Sequence, residues 1–315
     1  MVTGSKVLDD YLSYLKVIKG RSENTIAEYR VDIRLLFLYI YRMRFNSIRF
    51  DCSFADIDFI KSISIDDVYS FVRYCQEERK CSIQTCGRKI IAIRQFWIYL
   101  KKKAHLIDEN YMEELEVPKI PQRLPKYLSL DDSIRLLIQA ESSVRNYCIV
   151  TLFLNCALRL SELASLNLSN IDTDKLTIIG KGDKQRIVYL NPAAKQAIDQ
   201  WLSMRIEYKP QCDALFISKR DGTRLGNRGI QLVVKKLIIN AGLNQNVSSP
   251  HKLRHSSATL LYRYGKVDLN SLREILGHVS LSTTQVYLHS DAQQLQAAIN
   301  SNPLSSMINR SHVKP

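Results

Sequence analysis

The chain has 315 residues, with 45 Lys and Arg against 31 Asp and Glu (net +14, pI near 9.4), a length that supports two domains with separate cores. No apolar run approaches the roughly 20 residues of a membrane span, and the opening MVTGSKVLDDYL lacks the apolar core of a signal peptide. Seven scattered cysteines (Cys52, Cys75, Cys81, Cys86, Cys148, Cys156, Cys212) fit neither a disulfide framework nor a zinc spacing, so reduced thiols in a cytoplasmic protein are expected.

Val7, Leu8, Tyr11, Leu12, Leu15 and Ile18 form a helical stripe that stops at Lys19-Gly20. Ser22 to Asn24 cap a second helix, with Ile26, Tyr29, Ile33, Leu36, Phe37 and Ile40 inward. Residues 44–61 lack a regular period and read as a loop or short irregular insert. Ser64, with Asp66 and Asp67 in the first turn, opens a third helix through Val68, Phe71, Val72 and Cys75. Ser82 opens a fourth, which carries Ile83, Ile90, Ile93, Phe96, Trp97 and Leu100 and ends in Lys101-Lys102-Lys103. That lysine run is a solvated helix end that also suits backbone phosphates. Residues 1–117 thus read as an all-α domain.

Pro118, Pro121 and Pro125 mark a stiff, extended linker over 118–126, and residues 127–315 form the second domain. The charge is uneven across this boundary. Residues 1–117 hold 19 basic and 17 acidic side chains, net +2, whereas residues 118–315 hold 26 and 14, net +12. Such asymmetry favours a polyanionic partner.

Ser129 caps a helix with Asp131 and Asp132 in its first turn, and a largely apolar helix follows from about Tyr147 to Ala157. In the next run, ALRLSEL, Ser161 is the expected cap of a further helix. That leaves Arg159 at a junction among leucines, where a buried cation needs a partner. The plain reading is a salt bridge to Glu162 or another carboxylate, and the functional one is a phosphate clamp. Residues 176–179 and 186–190 read as two strands of a hairpin whose tip, Gly180-Lys181-Gly182-Asp183-Lys184-Gln185, is basic and flexed by glycine. Ala214 to Ile217 is a candidate third strand, and helices are expected at about 192–207 and 227–241.

The stretch from Ser249 to His289 carries the chemistry. Ser249-Pro250 is a cap with proline at the first helical position. His251 and Arg254 are three apart and share a helix face. A second helix ends near Leu276-Gly277-His278, and Ser282 with Gln285 forms the capping box of a third that carries Tyr287. Guanidinium forks match the oxygens of a phosphoryl transition state, and a tyrosine can serve as a covalent nucleophile. Each residue alone has a plain reading: Tyr287 as core filling, and the His251/His255 pair as a polar helix face. From Asp291 a short helix with Leu295, Ala298 and Ile299 on one face leads into a polar tail.

The motifs ALRLSEL, IIGKGDKQR, PHKLRHSSATLL and LGHVSLSTTQVYLH resemble, in order and spacing, those of the tyrosine recombinase (phage integrase) family, and within it the bacterial Xer-type proteins. The resemblance implies a mainly α fold with a small antiparallel β-sheet in the C-terminal domain. An all-α, SAM-like N-terminal core-binding domain and a mixed α/β catalytic domain would form a clamp around DNA, without an added arm-binding module. It also implies roles for six residues: Arg159 and Arg254 clamp the scissile phosphate, His278 bonds a nonbridging oxygen, and Tyr287 attacks phosphorus. Lys181, with Lys184 as the alternative, protonates the leaving 5′-oxygen, and His251 assists proton movement. No cofactor, metal or nucleotide is expected. The implied partner is a double-stranded DNA recombination site, bound by a homotetramer or by a heterotetramer with a related recombinase. Three other readings compete: a type IB topoisomerase-like enzyme, a non-catalytic DNA-binding regulator, and a metallo-hydrolase using His251, His255, His278 or His289. The last lacks the expected carboxylate ligand.

Overall fold

A computed structural model describes residues 4–118, 127–180, 185–244, 249–265 and 267–277. The chain forms two compact units, Met1–Gln122 and Arg123–Pro315. From residue 119 on, the expected linker lies outside the described residues.

Side-chain caps start the helices of the first unit. Helix α1 (Lys6–Val17) begins at Ser5, α2 (Glu23–Phe45) at Ser22, α4 (Ile65–Glu77) at Ser64 and α5 (Ile83–Lys102) at Ser82. In each the serine oxygen accepts a backbone N–H of the first turn. Their apolar stripes meet in a core that includes Tyr11, Phe37, Phe71 and Phe96, each with almost no exposure. Burying each such ring contributes about 1.5–3 kcal/mol.

The stretch expected to be irregular contains a short helix, α3 (Ile57–Lys61), capped by Asp56. Cys52, Ala55 and Ile60 from this stretch are buried, and Ser5 Oγ donates to the Ala55 carbonyl at 2.6 Å. The segment therefore closes the core over α1 and is part of the fold. Asp32 of α2 is also wholly enclosed. It accepts from Arg88 at 2.5 Å and from Lys89 at 2.6 Å, both on α5. A buried carboxylate demands such partners.

In the second unit, α6 (Leu130–Ala140) precedes α7 (Val144–Cys156), which is buried along most of its length. Helix α7 packs against α6, α9 (Pro192–Arg205), α10 (Asn227–Asn240) and α11 (Pro250–Tyr264). Between these helices lie α8 (Leu160–Ser165) and a hairpin of β1 (Lys175–Ile179) and β2 (Gln185–Tyr189). The hairpin is antiparallel, with Lys175 opposite Tyr189 and Ile179 opposite Gln185. The last described element is α12 (Leu269–Leu276).

Two expectations need correction. Ser161 does not cap α8, which begins at Leu160 with Arg159 in the cap position, its N–H accepted by the Glu162 carboxylate at 2.7 Å. Residues 214–217 do not join the sheet, which has two strands among the described residues. They make only isolated bridges, Asn167 with Ala214 and Ile217 with Arg224. The Phe216 carbonyl accepts the Leu225 backbone N–H, and the other three carbonyls are taken by side chains. Arg205 donates to Ala214, Trp201 to Leu215 and Arg145 to Ile217, which satisfies this buried backbone without a ladder.

Candidate active site

Helix α7 ends at Ala157, whose backbone is left-handed (φ 50). This reversal places Arg159 at the start of α8, beside the N-terminal half of α11. Arg254 on α11 is only 3% exposed. Its guanidinium donates to the Ala157 carbonyl at 2.6 Å and to the Leu276 carbonyl, so it ties α11 to both the α7–α8 corner and the end of α12. Arg159 is more open. It donates to Glu162 Oε1 at 2.7 Å and to the Gly277 carbonyl at 2.9 Å.

Glu162 lies at the centre of this cluster, 3% exposed. One of its oxygens accepts the Arg159 backbone N–H, and Arg186 of β2 donates to both oxygens, at 2.6 and 2.9 Å. Arg254 lies 3.7 Å away. Burial alone would raise its carboxyl. The hydrogen bonds from Arg186 and Arg159, with the Arg186 charge, outweigh burial and hold it at about 2. Three guanidiniums therefore surround this carboxylate.

Gly277 ends α12 in the left-handed region (φ 59). A Cβ there would lie 2.9 Å from Arg186 Cδ and 3.1 Å from its Nε. Glycine is thus required twice, by its backbone conformation and by the guanidinium lying against it. It immediately precedes His278.

His251, one turn before Arg254, has its Nε2 3.1 Å from that of His255, with the rings edge to face. Partial burial and the charges of Arg254, Lys252 and Arg159 lower its affinity for a proton. The neutral imidazole is thereby favoured. Among the described residues, no three His, Cys, Asp or Glu side chains converge as metal ligands.

Of the six predicted site residues, Arg159 and Arg254 are brought together at Glu162, and His251 lies near enough to both guanidiniums to feel their charge. Lys181, with its alternative Lys184, and His278 and Tyr287 lie outside the described residues, as do the Ser282–Gln285 capping box and the chain from Asp291. Of the two readings given for Arg159, the salt bridge to Glu162 is present. The sequence marks Arg186 as a strand residue, and its position offers a further signal. Its face of the hairpin is the one that Leu176, Ile178 and Val188 bury, and an inward Arg on an apolar face requires a carboxylate.

Residues 126–294 match the model of the phage integrase family, and residues 8–104 that of the phage integrase N-terminal SAM-like domain. A tyrosine recombinase XerC from Caldanaerobacter subterraneus subsp. tengcongensis is 44% identical over 310 residues, covering 95% of this chain and 87% of that protein. One from Pseudomonas fluorescens is 35% identical over 303 residues, 93% and 95% of the two chains. Among solved structures, the XerH site-specific recombinase bound to its difH substrate before cleavage superposes with a TM-score of 0.66 at 25% identity, covering 88% of this chain and 78% of that one.

Proposed function

The chain belongs to the phage integrase family and acts as a tyrosine-type site-specific DNA recombinase, and from that premise we propose how its residues divide the reaction. Arg159 and Arg254 hold the nonbridging oxygens of the scissile phosphate, and His278 bonds one of them. The Tyr287 oxygen attacks phosphorus, the P–O5′ bond breaks, and a 3′-phosphotyrosyl link and a free 5′-hydroxyl result. His251 receives the phenolic proton, and Lys181 (or Lys184, its neighbour on the hairpin tip) gives a proton to the leaving 5′-oxygen. The 5′-hydroxyl of a second duplex then reverses these steps on the new strand. Unperturbed phenol and ammonium groups titrate near 10 and 10.4. Nearby guanidinium charge favours both phenolate and proton release by lysine. The covalent link conserves the phosphodiester, so no nucleotide is consumed.

The observation that carries this reading is that two guanidiniums, Arg159 and Arg254, converge on one carboxylate, Glu162, among the described residues. A structural ion pair would balance its charges, whereas a phosphate site keeps cationic charge to spare. The two domains close around duplex DNA, and four copies, or two of each of a related pair, assemble on two sites in the cytoplasm. The segment after Asp291 docks on the neighbouring copy in a cyclic arrangement. The test is recombination of two duplexes bearing the site, run with excess EDTA and no nucleotide. Exchanged products are expected. Relaxation of supercoils without exchange would instead indicate the topoisomerase-like activity, and loss on chelation reversed by a divalent ion would indicate metal chemistry.

A further inference from the structure

Arg186 has no part in the reaction above, yet it links the pieces of the site. It stands opposite Ile178 in the hairpin, and its side chain is 15% exposed. Its two terminal nitrogens span both Glu162 oxygens, the bidentate geometry that fixes a carboxylate in orientation as well as place. The rest of the guanidinium lies against Gly277, so closely that a single added carbon would collide with it. Gly277 in turn accepts from Arg159 through its carbonyl. One side chain thus touches the carboxylate that aims Arg159 and the turn that leads into His278.

Its charge matters as much as its contacts. With Arg186 present, Glu162 is neutralised by a partner that is itself enclosed. Without it, the cationic neighbours of Glu162 named above reduce to Arg159 and Arg254. Both would be drawn toward the carboxylate in competition with phosphate. We infer that Arg186 is a positioning residue for the phosphate clamp: it saturates Glu162 and braces Gly277, which leaves Arg159 and Arg254 aimed at the scissile phosphate. This role rests on the clamp reading proposed above.

The test compares single-turnover cleavage of two nicked duplexes carrying the chain's recombination site, one with an ordinary scissile phosphate and one with a methylphosphonate there. The neutral methylphosphonate lacks one anionic oxygen and with it much of the demand for two oriented guanidiniums. Arg186→Gln is expected to cleave the phosphate about tenfold to a hundredfold more slowly, as for loss of a charge-assisted hydrogen bond. It should bind intact DNA nearly as wild type does and lose most of its deficit on the methylphosphonate. Equal slowing on both substrates, as a general folding defect would give, overturns the inference, and so does cleavage of the phosphate at the wild-type rate. Arg159→Ala calibrates the pair. If its own loss is not relieved by the methylphosphonate, the clamp reading fails. If that loss is relieved but the Arg186→Gln loss is not, only the positioning role fails. Arg186→Lys keeps the charge but cannot span both Glu162 oxygens, and it carries the same comparison if Arg186→Gln does not fold.

Discussion

Among the described residues Glu162 is the acidic side chain that the guanidiniums of the site share, and its titration is tied to folding. Its folded carboxyl is held at about 2, below the ordinary 4.5, so the native state binds fewer protons there than the unfolded chain. The stability it contributes is complete above about pH 4.5 and is lost as the pH falls toward about 2. The total is on the order of 3 kcal/mol for a group so deeply enclosed. Glu162→Gln should therefore be less stable at pH 7 and lose less on acidification. Denaturant unfolding at a series of pH values checks this, and an unchanged slope below pH 4.5 would contradict it. At this scale the sequence was informative where chemistry is local. The caps at Ser22, Ser64, Ser82, Ser129 and Ser249 could be read because each needs only its own first turn. Glu162 was visible only as a possible partner for Arg159. Its bond to Arg186 spans 24 positions along the chain, a proximity that the hairpin creates and periodicity does not encode.

Among the elements, the pair α2 and α5 is held by more than its apolar stripes. Asp32 lies fully enclosed between Arg88 and Lys89. Asp32→Ala would leave Lys89, 6% exposed, without this carboxylate. A loss of about 3–5 kcal/mol is expected, as for breaking a buried pair by removing one partner. A calorimetric comparison with wild type measures it, and a change under about 1 kcal/mol, the range of a surface pair, would show the cluster to be solvated. The stripes themselves were legible, because α1, α2, α4 and α5 each bury residues at helical spacing. Helix α3 was not, since a five-residue helix is too short to establish a period. Residues 214–217 looked like a strand because Ala214, Leu215, Phe216 and Ile217 are all apolar and buried. What removes them from the sheet is the set of donors from Arg145, Trp201 and Arg205, which lie on other elements.

At the scale of the whole molecule, the charge asymmetry remains the broadest signal, with +12 of the net +14 carried after residue 117. Basic side chains that neutralise DNA phosphates release counterions. Affinity for duplex DNA should therefore fall by roughly 10³–10⁵ between 50 and 200 mM salt if 6–10 phosphates are contacted. A flat salt dependence would make the basic surface a solubility feature only. Both the two-unit division and the resemblance to recombinases could be read from the sequence, the second because its motifs are short and contiguous. The way Arg159, Glu162, Arg186, Arg254 and Gly277 converge could not, since it depends on four elements folding onto one another.

Tyr287, one of 16 tyrosines, is the proposed point of covalent attachment to DNA. The most direct measurement uses a nicked duplex carrying the recombination site, which traps the covalent complex, followed by protease digestion and mass mapping of the DNA-linked peptide. The account predicts a denaturant-resistant adduct whose phosphate is on Tyr287, and DNA binding without any adduct for Tyr287→Phe. An adduct mapped to another tyrosine, or formed in normal yield by Tyr287→Phe, would contradict it.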